Sequence, residues 1–255
     1  MMKAIILAAG RGSRMRERTE ILPKCLTELW GKTLLDWQLK AIEGAGIRRS
    51  DIAIITGYHA EKIREAEPDL HYFHNERWAA TNMVSTLMEA DEWLNTDTCI
   101  VSYADIVYTR KAISLLMESS DDIAITYYTK FLDLWKGRFE NPLDDIETFK
   151  IDKNGFLTEI GQKAKALSDI EGQYMGLLRF TPEGYSSMRE EMKRGLPKPM
   201  DKMDMTGLLS YLLGKGIKMR GIAYDELWIE MDSQDDLALY ESWDAEKYIE
   251  MLTKI

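Results

Sequence analysis

Residues 3–15 read KAIILAAGRGSRM, and this stretch decides the fold class. Its first part, residues 3–7, is a short and almost continuous apolar run, which is typical of a strand buried on both faces of a sheet. A glycine-rich turn follows at once, beginning at Gly10. Small residues after a buried strand let the backbone approach a ligand closely, so the stretch indicates an α/β fold with a binding loop.

Further along the chain, helical and strand patterns alternate. In order, they occupy residues 33–43 (helix), 51–56 (strand), 60–66 (helix), 70–73 (strand), 82–94 (helix) and 98–103 (strand). This alternation predicts a mostly parallel sheet with helices on both faces and with the loops after its strands on one ligand-binding edge. We expect the loops at Gly10 and Asp105 to lie on that edge.

The second half of the chain is richer in strand patterns. Strands are predicted at residues 123–128, 148–151, 172–180 and 218–224, and helices at residues 182–193, 205–213 and 234–252. No linker rich in Ser, Gly or Pro separates the two halves, so the sequence predicts a single domain over residues 1–255.

Composition excludes several classes of protein. With 255 residues, of which 45% are hydrophobic, the chain can bury a substantial core. A net charge of -10 opposes capture by nucleic acid or by an anionic membrane. No apolar run approaches the ~20 residues of a membrane helix, and Cys25 and Cys99 show no zinc or redox spacing. We therefore predict a cytoplasmic protein with neither nucleic acid nor membrane as partner.

The turn after the first strand carries the features of a phosphate-binding loop. Its consecutive amides can point at phosphate oxygens, and Arg14 and Lys24 add the positive charge that a polyphosphate requires. A glycine turn alone also serves ordinary tight turns. The dinucleotide fingerprint is not matched, because Met15 stands at its third glycine position, and the P-loop pattern is absent.

Carboxylates follow the strand patterns at two places. Asp105 comes just after the strand at residues 98–103, where an Asp is either a turn residue or, beside a phosphate loop, a ligand for Mg²⁺. Glu230 and Asp232 are two residues apart, so on an extended segment both face one side. The alternative is that Asp232 or Ser233 caps the last helix.

The whole string from Leu7 to Met15, with Thr19 and Pro23-Lys24, resembles the signature of the nucleotidyltransferases that make nucleoside-diphosphate sugars and related activated alcohols. The resemblance implies a Rossmann-like (GT-A-like) fold and an enzyme that transfers a nucleotidyl group from an NTP to a phosphorylated acceptor, releasing pyrophosphate. It implies that residues 1–120 form the nucleotide-binding half and residues 121–255 the acceptor-binding half.

The same resemblance implies roles for individual residues. Arg14, Lys24 and Asp105 are implied to be catalytic, with Arg14 at the leaving pyrophosphate and Lys24 beside the reacting α-phosphate. Asp105 and Asp232 are implied to bind Mg²⁺. The residues implied to contact the nucleotide are Leu7, Ala8, Ala9, Gly10, Gly12, Arg14, Lys24, Asn82, Ser85 and Ala104. Helix capping is an equal alternative for the stretch around Asn82 and Ser85.

Four segments of the second half, residues 135–149, 161–163, 172–178 and 203–206, resemble cytidylyltransferases that act on phosphocholine and on phosphonates such as 2-aminoethylphosphonate. The resemblance implies CTP and a small phosphonate or phosphoalcohol as partners, with 2-aminoethylphosphonate preferred. Residues expected at the acceptor are Trp135, Asp144, Glu147, Met175, Gly176 and Glu230. A solvated acidic loop is the alternative for Asp144 and Glu147.

Other functions remain open at this point. Phosphocholine, a polyol phosphate or a sugar 1-phosphate are alternative acceptors, and a regulatory nucleotide-binding module is the alternative to an enzyme. The presence of Arg14, Lys24, Asp105 and Asp232 together favours the enzyme, because binding alone does not need a complete metal site. A monomer or a homodimer is expected.

Overall fold

The structure, a computed structural model, describes residues 2–15 and 18–254, without the side chains of residues 18 and 19. The Thr19 side chain of the loop signature thus lies outside the described part. The strands are β1 (Met2–Ala8), β2 (Glu28–Leu29), β3 (Lys32–Thr33), β4 (Ile52–Thr56), β5 (His71–His74), β6 (Thr98–Tyr103), β7 (Ile106–Tyr108), β8 (Ile123–Tyr128), β9 (Glu147–Ile151), β10 (Leu157–Lys163), β11 (Gln173–Phe180), β12 (Arg220–Tyr224) and β13 (Trp228–Glu230).

Helices cover the sheet and connect most of these strands. They are α1 (Arg18–Ile21), α2 (Leu34–Gly44), α3 (Ala60–Ala66), α4 (Met83–Met88), α5 (Asp91–Leu94), α6 (Arg110–Glu118), α7 (Phe131–Arg138), α8 (Pro182–Arg194), α9 (Met205–Gly214), α10 (Gln234–Glu241) and α11 (Ala245–Thr253).

A central seven-stranded sheet has the order β12-β8-β11-β6-β1-β4-β5. Within it, β11 runs antiparallel to β6 and β8, and the other pairs are parallel. The predicted α/β class, a mostly parallel mixed sheet with a Rossmann-like arrangement, is therefore confirmed. Because β1, β4 and β6 are parallel, the loops after Ala8, Thr56 and Tyr103 meet at one edge of the sheet.

Alternate residues of β1 enter two separate cores. Ala4 and Ile6 belong to a cluster with α2 and α6 on one face, and Ile5 and Leu7 belong to a cluster with α4 and α9 on the other. Both faces of the sheet are thus dry, which explains why β1 reads as a continuous apolar run.

Two long helices were predicted as continuous, which is wrong, because each is divided into two shorter helices. The pattern over residues 82–94 is divided into α4 and α5 at Ala90, whose φ of -95° and ψ of 23° leave the helical region, so that Trp93 and Leu94 turn into the core. The pattern over residues 234–252 is divided into α10 and α11, because the Asp244 side chain accepts from Lys247 N and caps a new helix.

Several elements have no counterpart in the sequence prediction. They are the helices α1, α6 and α7 and the strands β2, β3, β7, β10 and β13. In the described part of the chain, no helix is both long enough and apolar enough to cross a membrane.

A bulge in β11 adapts this strand to the ring of Tyr103. Gly176 has φ +73°, and a Cβ at this position would lie 2.7 Å from Tyr103 Cδ2. Both the left-handed backbone and the close ring exclude a larger side chain. Gly176→Ala is expected to destabilise the fold by about 1–3 kcal/mol.

Denaturant unfolding of Gly176→Ala beside Gly214→Ala checks this prediction. Gly214 ends α9, and a Cβ there meets no atom within 4 Å, so this control should be neutral or slightly stabilising. Equal stability of the two variants would contradict the steric argument.

Candidate active site

A cleft of about 230 Å³ lies on the edge of the sheet where β1 and β6 end. Leu7 to Gly10, Gly12 and Arg14 form one side of its lining, and Ala104 and Asp105 form another. Lys24 and Asn82 complete the set of sequence-predicted residues that border it. The loop after β1, the loop after β6 and the start of α4 therefore converge on one cavity, as the parallel topology requires.

Local packing places Lys24 under the glycine-rich loop. Gly12 has φ +67°, and a Cβ there would lie 3.0 Å from Lys24 Cβ and Cδ. Lys24 begins a short 3-10 turn, and the next two residues, Cys25 and Leu26, are buried and anchor that turn in the core. The loop thus passes closely over the lysine stem, which directs the ammonium toward the cleft.

A small two-stranded ribbon brings Asp105 and Asp232 together. Strand β13 pairs antiparallel with β7, with Glu230 opposite Ile106. The backbone continues this pairing, since Met231 N donates to Asp105 O at 2.9 Å. Asp105 immediately precedes β7 and Asp232 follows β13, so the ribbon sets both carboxylates at the cleft although they are far apart in sequence.

The two carboxylates share one ammonium. Lys24 Nζ donates to Asp105 Oδ2 at 2.7 Å and to Asp232 Oδ1 at 2.8 Å. Arg14 Nη2 also donates to Asp232 Oδ1, at 2.7 Å. The Lys24 side chain is only 11% exposed, whereas that of Arg14 is 67% exposed. We call Lys24, Arg14, Asp105 and Asp232 the ion cluster. Within it, Lys24 is held by the two carboxylates, and Arg14 reaches Asp232 from the solvent side.

The charges of this cluster stabilise each other. Burial alone would lower the pKa of the Lys24 ammonium, but Asp105 and Asp232 outweigh it and raise that pKa above its ordinary value. Burial would likewise raise the pKa of the Asp232 carboxyl, but Lys24, Arg14 and Arg138 hold it below its ordinary value. Lys24 is thus a fixed cation and Asp232 a fixed anion.

Glu230 differs from its neighbours. Its side chain is 23% exposed, and Arg138 Nη1 lies 3.2 Å from its Oε2. Burial, together with the negative charge of Asp232, raises the pKa of Glu230 to about 8. This carboxyl lies beside the ion cluster without a bond to Lys24, and a further positive charge placed next to it would favour its ionised form.

The carboxylate pair fits a divalent cation. Asp105 Oδ1 is buried and has no hydrogen-bond partner among the described residues. Mg²⁺ takes oxygen ligands and is usually held by one or two carboxylates together with substrate phosphates. Within residues 2–15 and 18–254 no group of three or more His, Cys, Asp or Glu side chains could hold a metal alone. Waters or a substrate phosphate would supply the remaining ligands.

The start of α4 also borders the cleft. Asn82 caps the helix, since its Oδ1 accepts from Met83 N at 2.7 Å. Thr81 and Thr86 also line the cleft, and the sequence analysis assigned neither of them to the nucleotide. Ser85 does not line it, because its hydroxyl donates to Asp201 Oδ1 at 3.1 Å. The predicted contact of Ser85 with a nucleoside is not supported by this placement.

Trp135 is in the core and not at an open surface. Its ring is 1% exposed, stacks on Trp228 at 5.9 Å, and lies 5.0 Å from the Arg138 guanidinium. The expected contact of Trp135 with the acceptor is not supported by this placement, because the ring is buried and the Arg138 guanidinium already packs on it.

The other predicted acceptor residues are dispersed. Met175 is fully buried, and its carbonyl accepts from Trp228 Nε1 at 3.1 Å. Asp144 is exposed and accepts from Asn141 Nδ2 at 2.9 Å, as a solvated loop predicts. Glu147 is half-buried at the start of β9, and burial raises its pKa. Gly176 lies against Tyr103, which lines the cleft. Among these six residues, Glu230 alone is next to the ion cluster.

Known proteins have sequences similar to this one. Residues 4–143 match the model of the MobA-like NTP transferase domain. The CTP:phosphoglutamine cytidylyltransferase of Campylobacter jejuni is 35% identical over 92% of this chain and 98% of its own length. The CMP-5'-(3-aminopropyl)phosphonate synthase of Streptomyces rubellomurinus is 24% identical over 92% of this chain, and the match covers 37% of its own length.

Solved structures agree on the fold. The inositol-1-phosphate CTP transferase of T. maritima superposes with a TM-score of 0.74 at 16% identity, over 99% of this chain and 96% of that one. The similarity of fold therefore covers both halves of the chain.

Proposed function

Since this chain belongs to the family of MobA-like NTP transferase domains and is a nucleotidyltransferase, we propose that it transfers CMP from CTP to a small phosphorylated or phosphonate acceptor. The observation that carries the proposal is the contact of Lys24 with both Asp105 and Asp232 at the mouth of the cleft. The choice of the cytidine nucleotide is supported by the C. jejuni relative, which is a CTP:phosphoglutamine cytidylyltransferase.

The proposed reaction is a direct displacement. An oxygen of the acceptor's phosphoryl or phosphonyl group attacks the α-phosphorus of CTP. The bond from that phosphorus to the oxygen bridging to the β-phosphate breaks, and pyrophosphate leaves with the electron pair. The anionic phosphate or phosphonate of the acceptor must therefore approach the anionic triphosphate. Alignment of the two and neutralisation of their charge are the main tasks of the protein.

The residues divide these tasks by position. The backbone of the loop after β1 surrounds the triphosphate, and the exposed Arg14 side chain can turn from Asp232 to the leaving pyrophosphate. Lys24, held on a buried stem, donates hydrogen bonds to the oxygens of the reacting phosphate. Asn82, Thr81 and Thr86 bound the part of the cleft left for the nucleoside.

Mg²⁺ is the metal that we propose for this site. Asp105 and Asp232 would hold it, and the unpartnered Asp105 Oδ1 supports this assignment. When bound, the ion neutralises charge on the transferring phosphate, an effect worth several kcal/mol.

An ammonium that can donate hydrogen bonds, unlike the trimethylated nitrogen of phosphocholine, is the feature we propose for the acceptor. The C. jejuni relative acts on phosphoglutamine and the S. rubellomurinus relative makes a CMP derivative of (3-aminopropyl)phosphonate. Both of these groups carry an amine. Glu230 lies two residues from Asp232 and about a quarter of its side chain is open to solvent, so in its ionised form it can accept hydrogen bonds from an ammonium. Our first candidates are therefore 2-aminoethylphosphonate and phosphoglutamine, ahead of phosphocholine, polyol phosphates and sugar 1-phosphates.

A pyrophosphate-release assay tests the proposed function. Four NTPs are crossed with these acceptors, with the metal varied between Mg²⁺ and none. We expect release with CTP, Mg²⁺ and an amine-bearing acceptor. Tight binding of CTP with no release for any acceptor would instead favour the regulatory module.

Glu230→Gln is expected to reduce the preference for an amine. With the wild type we expect kcat/KM for 2-aminoethylphosphonate to exceed that for phosphocholine at least ~10-fold, because a charge-assisted hydrogen bond contributes about 1.5–3 kcal/mol. Glu230→Gln should remove most of this preference with little change in the KM for CTP. The exposed Glu65→Gln on α3 is the control, and an unchanged preference in Glu230→Gln would exclude this carboxylate.

We also propose a cytoplasmic protein. Cys25 and Cys99 are both buried free thiols, as expected in a reducing compartment. The net charge of -10 supports small-molecule partners over nucleic acid.

A further inference from the structure

Arg138, at the end of α7, is the most completely buried cation in contact with the ion cluster. Its side chain is 1% exposed and lies among three carboxylates, those of Glu230, Asp232 and Asp236. Its guanidinium also packs on the rings of Trp135 and Phe139, at 5.0 and 5.3 Å. It does not line the cleft, and its ion pairs are with these carboxylates alone among the described residues.

Cations approach the two oxygens of Asp232 from different sides. Oδ1 accepts from Lys24 and Arg14, which both line the cleft. Oδ2 is 3.3 Å from Arg138 Nη2, which approaches from the protein interior. The orientation of the Asp232 carboxylate in the cleft therefore depends on a residue behind it.

Asp236 fixes both Arg138 and the backbone of Asp232. It accepts from Arg138 Nε at 2.7 Å and from Arg138 Nη2 at 3.3 Å. Its Oδ2 also accepts from Asp232 N at 2.9 Å and from Ser233 N at 2.9 Å, within the cap of α10. Guanidinium and carboxylate are thus held in one rigid network, which the planar fork of arginine suits.

We infer that Arg138 is a positioning residue for nucleotidyl transfer, which holds the Asp232 carboxylate in the orientation needed at the cleft and joins α7 to the catalytic centre. This inference rests on the proposed function, because it assigns Asp232 to the reaction. Trp135 then supports the Arg138 guanidinium and does not contact the acceptor.

Arg138→Lys separates orientation from charge. Lysine keeps the positive charge but lacks the fork that bonds Asp236 and Asp232 together. We expect Mn²⁺, measured by electron paramagnetic resonance on the nucleotide-free protein, to bind ~10-fold more weakly, as for loss of other groups that orient metal ligands. In the presence of CTP, kcat should fall at least ~10-fold, with the KM for CTP nearly unchanged.

A double-mutant cycle tests whether Arg138 acts through Asp232. In the Asp232→Asn background, Arg138→Lys should cause almost no further loss of kcat. Arg220→Met is the control, because Arg220 pairs with Asp121 at 2.7 Å, away from the cleft. It should lower the melting temperature without changing Mn²⁺ affinity.

Each outcome decides for or against the inference. Wild-type Mn²⁺ affinity and kcat in folded Arg138→Lys, or a full additional loss of kcat in the Asp232→Asn background, would overturn it. If Arg138→Lys does not fold, Asp236→Asn, which weakens the anchor of Arg138, must show the same split between kcat and KM. A wild type inactive with every NTP would refute the proposed function, and the Mn²⁺ measurements would still test Arg138.

Discussion

Lys24→Ala is expected to lower kcat at least ~100-fold, because loss of one well-placed donor at a developing charge costs about 2.7–4 kcal/mol. Lys24 Nζ lies within 2.8 Å of both carboxylates at the cleft, and no other lysine lines that cavity in the described part of the chain. Steady-state kinetics with saturating CTP and Mg²⁺ measure the effect.

The melting temperature of Lys24→Ala should also depend on divalent cations. Without Lys24, Asp105 and Asp232 lose the ammonium between them, so the melting temperature should fall in the absence of divalent cations and recover when Mg²⁺ is added. Lys3→Ala is the matched control, because Lys3 pairs with Asp97 at 2.9 Å with a similarly buried side chain on β1. It should keep wild-type kcat, and a Lys24→Ala enzyme as active as this control would refute the role of Lys24.

Asp105→Asn and Asp232→Asn are expected to act on one site. Each should lower turnover ~100-fold and raise the Mg²⁺ concentration needed for half-maximal rate, because each removes an anionic oxygen ligand. The double variant should lose far less than the product of the two effects, as for residues that work as a unit.

Asp51→Asn provides the control for this pair. Asp51 is a buried carboxylate that pairs with Arg48 at 2.7 Å, and it does not line the cleft. Its loss should affect stability alone. Full additivity of Asp105→Asn and Asp232→Asn would show that the two carboxylates serve separate sites.

The first half of the fold could be predicted because its signals are local. The strand at residues 3–7 and the turn at Gly10 are adjacent in sequence, and parallel topology alone brings the end of β6 to the same edge. The prediction that Asp105 and Asp232 share one site came from the family resemblance. The pairing of β7 with β13, which produces it, has no local signal, because three-residue strands are too short to show periodicity.

Side-chain direction accounts for most of the remaining differences. On α4 the predicted Ser85 faces Asp201, while the adjacent Thr86 faces the cleft, and one residue on a helix is a rotation of roughly 100°. Arg138 was not predicted, since its partners Glu230, Asp232 and Asp236 follow it by more than 90 residues. Trp135 was expected at the acceptor, since an aromatic ring near carboxylates suits an ammonium. In the structure the Arg138 guanidinium packs on this ring, where a substrate ammonium would have to bind.

The central claim is that this cleft transfers the α-phosphate of CTP, with its cytidine, to a phosphorylated acceptor. Parallel reactions with CTP labelled at the α- or the γ-phosphorus, Mg²⁺ and 2-aminoethylphosphonate or phosphoglutamine test it directly, with the products separated by chromatography. We predict that the α-label appears in a product containing both cytidine and the acceptor and the γ-label in pyrophosphate, and that Lys24→Ala forms neither at a comparable rate. Release of the γ-label as inorganic phosphate, or an α-label that never joins any acceptor, would contradict nucleotidyl transfer at this site.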